Sequence, residues 1–293
     1  MMDVWPPLPI VIHHAARPKP GGHNIIAALE RNDRVYQIRM KLDLQWEKIL
    51  DAMQKPFPAL THLELSLLRP PSDIEIAPVV PDSFMGGFAP RLQYLEMKRV
   101  PIRGLPKLLL STTDLVHLIL WRIPDAGYMS PEAIVTCLST LPRLETLRLG
   151  FESPRSRPNR ESRHLPPPTR SLLPALIKLH FSGVSEYLED LVARIDSPLL
   201  DCLDIAVFNQ LLFYTPQLIQ FITRTPKLAL TPKLKAYDQA HVYFSNLDVR
   251  VIFSPTPYAS RLDSGLKLAI SCRQSEWQLS AMAQACTSFI PRS

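Results

Sequence analysis

The stretch LPRLETLRLG, Leu141 to Gly150, carries the spacing L-x-x-L-x-L in Leu144, Leu147 and Leu149. The same spacing returns upstream as Val35, Ile38, Met40, as Leu60, Leu63, Leu65, as Leu92, Leu95, Met97 and as Leu115, Leu118, Leu120. Downstream it returns as Leu176, Leu179, Phe181 and Leu200, Leu203, Ile205. The leading residues are 25, 32, 23, 29, 32 and 24 residues apart, the period of a stacked repeat. In each unit the last two apolar residues lie two apart, so on a strand they share one face and their neighbours share the other. One short strand per repeat follows. Parallel strands need crossovers, so the return segments, some of them helical, cover the apolar side. No repeat buries its apolar face alone, and stability comes from each repeat plus its neighbour interfaces. The expected fold class is α/β, a solenoid with a curved parallel sheet and helices and loops on the convex side. Its seven strands should be centred on Gln37, His62, Tyr94, His117, Thr146, Lys178 and Cys202, in chain order.

Composition narrows the classes further. Lys plus Arg number 33 against 27 Asp plus Glu, a net +6 over 293 residues without a lysine-rich run, so nucleic acid is not implied. There are 30 prolines and only 9 glycines, and the prolines punctuate the repeats. Cys137, Cys202, Cys272 and Cys286 are widely spaced, without the pairing of a metal ribbon or a secreted scaffold, and read as reduced core thiols. The opening Met1-Met2-Asp3 reaches a proline pair at once, which reads as no signal peptide, and no run of 18 apolar residues follows. The expectation is an intracellular protein, cytoplasmic or nuclear, without a membrane partner.

Residues 1–31 read as an N-terminal arm and cap, with a strand near Leu8 to Ile12 and a short helix from Asn24 to Arg31. Residues 32–226 are the repeat array. Helices are expected from Asp43 to about Gln54, from Pro106 to Leu110, and after Ser130-Pro131-Glu132, where Ser caps, Pro suits the first position and Glu favours the positive end. Ser185-Glu186 and Thr215-Pro216 repeat that idea, through about Ile195 and Arg224. Two insertions interrupt the array: Pro70 to Met85, and the segment 152–170 (ESPRSRPNRESRHLPPPTR), arginine-rich and nearly devoid of apolar residues. The latter is expected to be a mobile loop, either a solvated insertion or a contact for an acidic or phosphate-bearing partner. Residues 227–293 hold a degraded repeat (Leu234, Tyr237, Gln239), a hairpin of His241 to Ser245 with Val249 to Ser254, and a last poor match in Leu266, Ala269 and Ser271. A terminal helix after Ser275-Glu276 completes the reading.

The residues between the apolar positions form the exposed, concave ladder. The protein-binding candidates are Tyr94, Glu96, His117, Ile119, Trp121, Arg148, Lys178 and His180, with the pair Trp121 and Arg148 as the expected hot spot because Trp, Tyr and Arg dominate interface energies. Trp121 folded over the repeat edge as packing is the alternative. His62 and His117 sit two strands apart, about 10 Å, too far to share a metal ion. The sequence has no glycine-rich phosphate loop, no G-x-S-x-G elbow and no H-E-x-x-H. No enzyme, cofactor or metal is expected.

The series THLEL (61–65), QYLEM (93–97), VHLIL (116–120), ETLRL (145–149) and IKLHF (177–181), preceded by turns such as FPAL, APRL and LPRL, resembles a leucine-rich-repeat array. WPPLPIVI (5–12), IIAALERNDRVYQIRM (25–40) and ISCRQSEWQLSAMAQAC (270–286) resemble the region downstream of the F-box in a group of fungal F-box proteins. The resemblance implies the substrate-recognition region of a cullin-type ubiquitin ligase receptor, holding a protein target on the concave face. The first 30 residues show no F-box-like helix trio, so a ligase adaptor is an expected partner only where an F-box lies upstream. A free-standing repeat scaffold is the other reading.

Overall fold

The computed structural model describes residues 8–14, 22–42, 47–68, 79–102, 105–152, 169–208, 215–228, 239–244, 248–254 and 265–271. The chain forms two compact units: residues 1–129 with 140–144, and residues 130–139 with 145–293.

In the first unit β1 (Ile10–His14), α1 (Gly22–Leu29), β2 (Val35–Leu42), α2 (Glu47–Ala52), β3 (His62–Leu67), β4 (Tyr94–Lys98), α3 (Leu105–Leu109) and β5 (His117–Ile123) follow in order. The five strands lie side by side in chain order, all parallel. Their register matches the spacing: Ile38, Leu63, Leu95 and Leu118 face one another, as do Met40, Leu65, Met97 and Leu120. All eight are at most 2 % exposed. Burying a side chain of this size contributes roughly 1.5–3 kcal/mol, so these two apolar rows are a substantial part of the unit's core.

The second unit holds α4 (Pro131–Leu138), β6 (Thr146–Phe151), β7 (Ser171–Leu172), β8 (Lys178–Gly183), α5 (Ser185–Ala193), β9 (Ile195–Asp196), β10 (Cys202–Phe208), α6 (Pro216–Arg224), β11 (Gln239–Phe244), β12 (Asp248–Ser254) and β13 (Gly265–Ser271). β6, β8, β10 and β13 are parallel neighbours, and β12 and β11 continue antiparallel beyond β13. Leu147, Leu179, Leu203 and Leu266 share one register row, and Leu149, Phe181, Ile205 and Leu268 the next. Among the described residues the fold is thus α/β, with five strands in parallel pairing in the first unit and four in the second. β7 and β9 form a separate parallel pair. Among the described residues no helix is long and apolar enough to cross a membrane.

A recurring turn delivers the chain into these strands. The amide of Leu60 donates to the carbonyl of Phe57, Leu92 to Ala89, Leu115 to Thr112, Leu144 to Leu141, Leu176 to Leu173, Leu200 to Ser197 and Leu228 to Thr225, at 3.0 to 3.3 Å. In six of the seven the second residue is proline, and Thr113 is the exception. Proline presets the backbone angle that the second position of such a turn requires, which accounts for six of the 30 prolines. The next amide then reaches back one repeat: Thr61 to Tyr36 O and Gln93 to Thr61 O in the first unit, Ile177 to Glu145 O and Asp201 to Ile177 O in the second, at 2.8 to 2.9 Å.

Ser130 caps α4 as expected, its side chain accepting from Ala133 N at 3.2 Å. The other two caps differ. α5 begins at Ser185 with Val184 in the cap position, and Thr215 precedes α6 without a side-chain cap bond. The buried Glu189 of α5 does that work, accepting from Gln217 N at 2.9 Å and Leu218 N at 2.8 Å. The insertion expected through Met85 also ends earlier, since Val80, Phe84 and Met85 are core residues. They pack through a tight turn at Phe84–Gly87, where Gly86 has φ +59 and a Cβ there would meet Pro56 at 2.8 Å. The final repeat match is corrected as well. Leu266 and Leu268 take the core rows, whereas Ala269 pairs with Ala206 on the other face. The hairpin forms as β11 and β12, which return the chain so that β13 pairs with β10. The insertion from 153 to 168, Asp43, Leu234, Tyr237, Cys272, Cys286 and the terminal helix lie outside the described residues.

Candidate functional site

Each strand that buries its leucines on one side presents its alternate residues on the other. In the first unit these form three register rows. Val11, Gln37, His62, Tyr94 and His117 make the first, His13, Arg39, Glu64, Glu96 and Ile119 the second, and Lys41, Ser66, Lys98 and Trp121 the third.

The first row is a ladder of rings. His62 and Tyr94 stack with centroids 4.2 Å apart and planes 2° from parallel, and His117 lies 5.7 Å from Tyr94, tilted by 54°. Tyr94 is therefore interposed between the two imidazoles. Among the described residues no group of three or more His, Cys, Asp and Glu is placed to hold a metal ion. The Tyr94 hydroxyl donates to Glu96 Oε2 at 2.6 Å, tying the first row to the second. Arg39 Nε donates to His62 Nε2 at 3.1 Å and lies 3.9 Å from Glu64 Oε2. That bond needs a neutral imidazole with its proton on Nδ1. Burial, reinforced by the Arg39 charge, holds the His62 pKa below its ordinary value, with Glu96 pulling the other way.

In the second unit the corresponding rows are Thr146, Lys178, Cys202, then Arg148, His180, Asp204, Lys267, then Gly150, Ser182, Ala206, Ala269. His180 Nδ1 lies 3.3 Å from Asp204 Oδ2. Burial pushes the Cys202 thiol up, with the Lys267 and Lys178 ammonium groups pulling it down and the Asp204 and Asp201 carboxylates adding to the rise. Cys202 and Cys137 are both buried, and neither is in a disulfide.

Of the sequence candidates, the ladder gathers Tyr94, Glu96 and His117 in the first unit, and Arg148, Lys178 and His180 on adjacent strands in the second. Trp121 is partly exposed at the end of the third row, in the first unit, whereas Arg148 belongs to the second. One expected surface residue is corrected: Ile119 is only 9 % exposed, and Cys202, read as a core thiol, is 1 % exposed, so neither offers a contact face. Facing outward from a strand is not enough to expose a side chain shorter than those around it. The sequence reading also missed Lys267. Aligning Leu266 as the leading residue put Lys267 in the gap, whereas the local alternation Leu266-Lys267-Leu268 carries the correct face.

No family model matches the chain, and no curated protein matches it.

Proposed function

We propose that this chain is a protein-interaction module, a leucine-rich-repeat solenoid that holds a target protein on the exposed side of its strands. What supports the reading is one feature repeated in each unit. Gln37, His62, Tyr94 and His117, and again Thr146 and Lys178, fall in unbroken parallel register in front of stacked leucines. The result is a polar and aromatic surface on a rigid backing, with tyrosine, histidine, arginine and lysine side chains aligned rather than scattered. The resemblance to fungal F-box proteins extends the proposal to the substrate-recognition region of a ubiquitin ligase receptor.

The test compares proteins retained by the immobilised chain with those retained by variants. Tyr94→Ala in the first unit and Lys178→Ala in the second should each lose part of the set of proteins that Glu132→Ala, on α4, still retains. If all three variants retain that set equally, the exposed strand face is not the binding surface. The ligase extension is tested on the same proteins. Their ubiquitination in cells should fall when the Tyr94→Ala chain replaces the wild type, and unchanged ubiquitination supports a free-standing scaffold instead.

A further inference from the structure

The two exposed faces differ in charge balance. On the first, the rows hold Arg39, Lys41 and Lys98 against the two carboxylates of Glu64 and Glu96, and Arg39 already approaches Glu64. On the second, the rows of β6, β8, β10 and β13 hold Arg148, Lys178 and Lys267 against the single carboxylate of Asp204, which His180 faces at 3.3 Å. Among the described residues neither Lys178 nor Lys267 takes part in an ion pair.

Their placement is convergent. Lys178 is the register partner of Cys202 across β8 and β10, and Lys267 lies two residues beyond Gly265, the partner of Cys202 across β10 and β13. With strands about 4.8 Å apart and a rise of about 3.3 Å per residue, their Cα atoms are roughly 12 Å apart. Two four-carbon stems span that distance, so both ammonium groups can meet one anionic group above Cys202. Lys267 is also the register partner of Asp204, and the Cys202 thiol feels Lys267 and Lys178 together with the opposing carboxylates of Asp204 and Asp201.

We propose that the exposed strand face of the second unit docks an acidic segment of the protein partner, with Asp or Glu carboxylates received jointly by Lys178 and Lys267. This rests on the reading of that face as a binding surface and adds the chemistry of what binds. Arg148 adds to the positive potential that draws such a segment in. The lysines are strongly hydrated point charges, so the contact forms at the face without burying an ion, and it is screened by salt.

The test uses fluorescein-labelled hexaglutamate and the full chain, with binding read by anisotropy at low salt, about 50 mM, and at about 300 mM. Binding should weaken at the higher salt. Lys178→Glu and Lys267→Glu should each weaken it by about tenfold or more, and the neutral Lys178→Gln and Lys267→Gln by less, with unchanged circular dichroism. Lys227→Glu, at an exposed position after α6, removes the same charge away from the strands and should change affinity by less than about twofold. No binding by the wild type, or an equal loss with Lys227→Glu, would overturn the proposal, the latter by showing attraction to net charge alone. Tighter binding of an oligonucleotide of equal charge, with the same lysine dependence, would assign the face to nucleic acid and also overturn it. If retained proteins depend on Tyr94 but ignore every lysine reversal, only the acidic-segment proposal fails. Indifference to all face variants removes the binding surface itself.

Discussion

Glu189 joins two successive helices of the second unit, and removing its carboxylate should destabilise the protein by about 3 kcal/mol. Its residue is 8 % exposed, and its two oxygens accept from Leu218 N at 2.8 Å and Gln217 N at 2.9 Å. These amides belong to the first turn of α6, where backbone donors have no partner within the helix. Hydrogen bonds to a charged group contribute about 1.5–3 kcal/mol each, and an orphaned buried donor costs about 1–3 kcal/mol. The carboxylate also faces the positive end of the helix dipole, for a further few tenths to about 1 kcal/mol. These contributions overlap, so Glu189→Ala is placed near 3 kcal/mol rather than at their sum. Glu189→Gln keeps one acceptor oxygen but turns an NH2 donor towards the second amide, and should cost about half as much. Urea unfolding followed by circular dichroism gives the stability change, and hydrogen exchange at the amides of Gln217 and Leu218 locates it. Those two amides should lose protection by a matching free energy in the Ala variant. If Glu189→Ala stays within about 0.5 kcal/mol of wild type and both amides stay protected, water replaces the carboxylate and the reasoning is refuted.

Leu147 is fully buried beside its register partner Leu179, so Leu147→Asp should cost several kcal/mol, read as loss of the cooperative urea transition. Gly183→Ala should cost about 1–3 kcal/mol by overpacking, because its Cβ would sit 2.8 Å from Phe181 Cζ and 3.0 Å from Phe151; an unchanged melting temperature would show that these rings yield freely. His62 affects stability in the same sense as a salt-bridged carboxylate, and in the opposite sense to a histidine whose pKa a salt bridge raises. Its folded pKa lies below the ordinary value of about 6.5, so the unfolded chain takes up the proton first as pH falls. Stability present above about pH 6.5 is lost as pH drops through the window beneath it, and His62→Gln should flatten that part of a pH series of melting curves.

The leucine spacing was sufficient for the strands, their order within each unit and the face that each buries. That is because a strand's two-residue alternation is local, and a wrong register would turn a whole row of leucines such as Leu63, Leu95 and Leu118 out to water. The hairpin of β11 and β12 was legible for the same reason. Where repetition faded, so did the reading: in Leu266 to Ser271 three candidate apolar positions compete, and only pairing with Leu203 and Ile205 selects Leu266 and Leu268. With that register went Lys267, the one cation of the second face that sequence spacing had misplaced.

Tertiary structure alone decided which outward residues reach water, how helices end and which residues bear strained backbone. The burial of Ile119 and Cys202 depends on the length of the side chains around them, not on their own alternation. Glu189 caps α6 from 28 residues away, a pairing that exists only once the two repeats have stacked. Arg99 and Arg122 adopt left-handed φ of 60° and 53° directly after Lys98 and Trp121, which face each other across β4 and β5. Arginine has no intrinsic preference for that region, so the conformation is imposed by adjacent strands making the same exit, with Arg99 N donating to Trp121 O at 2.9 Å. The sequence by itself thus determines the face that each repeat hides, because that follows from local period and apolar burial. What each repeat shows to a partner depends on neighbouring side chains that only the folded stack brings together.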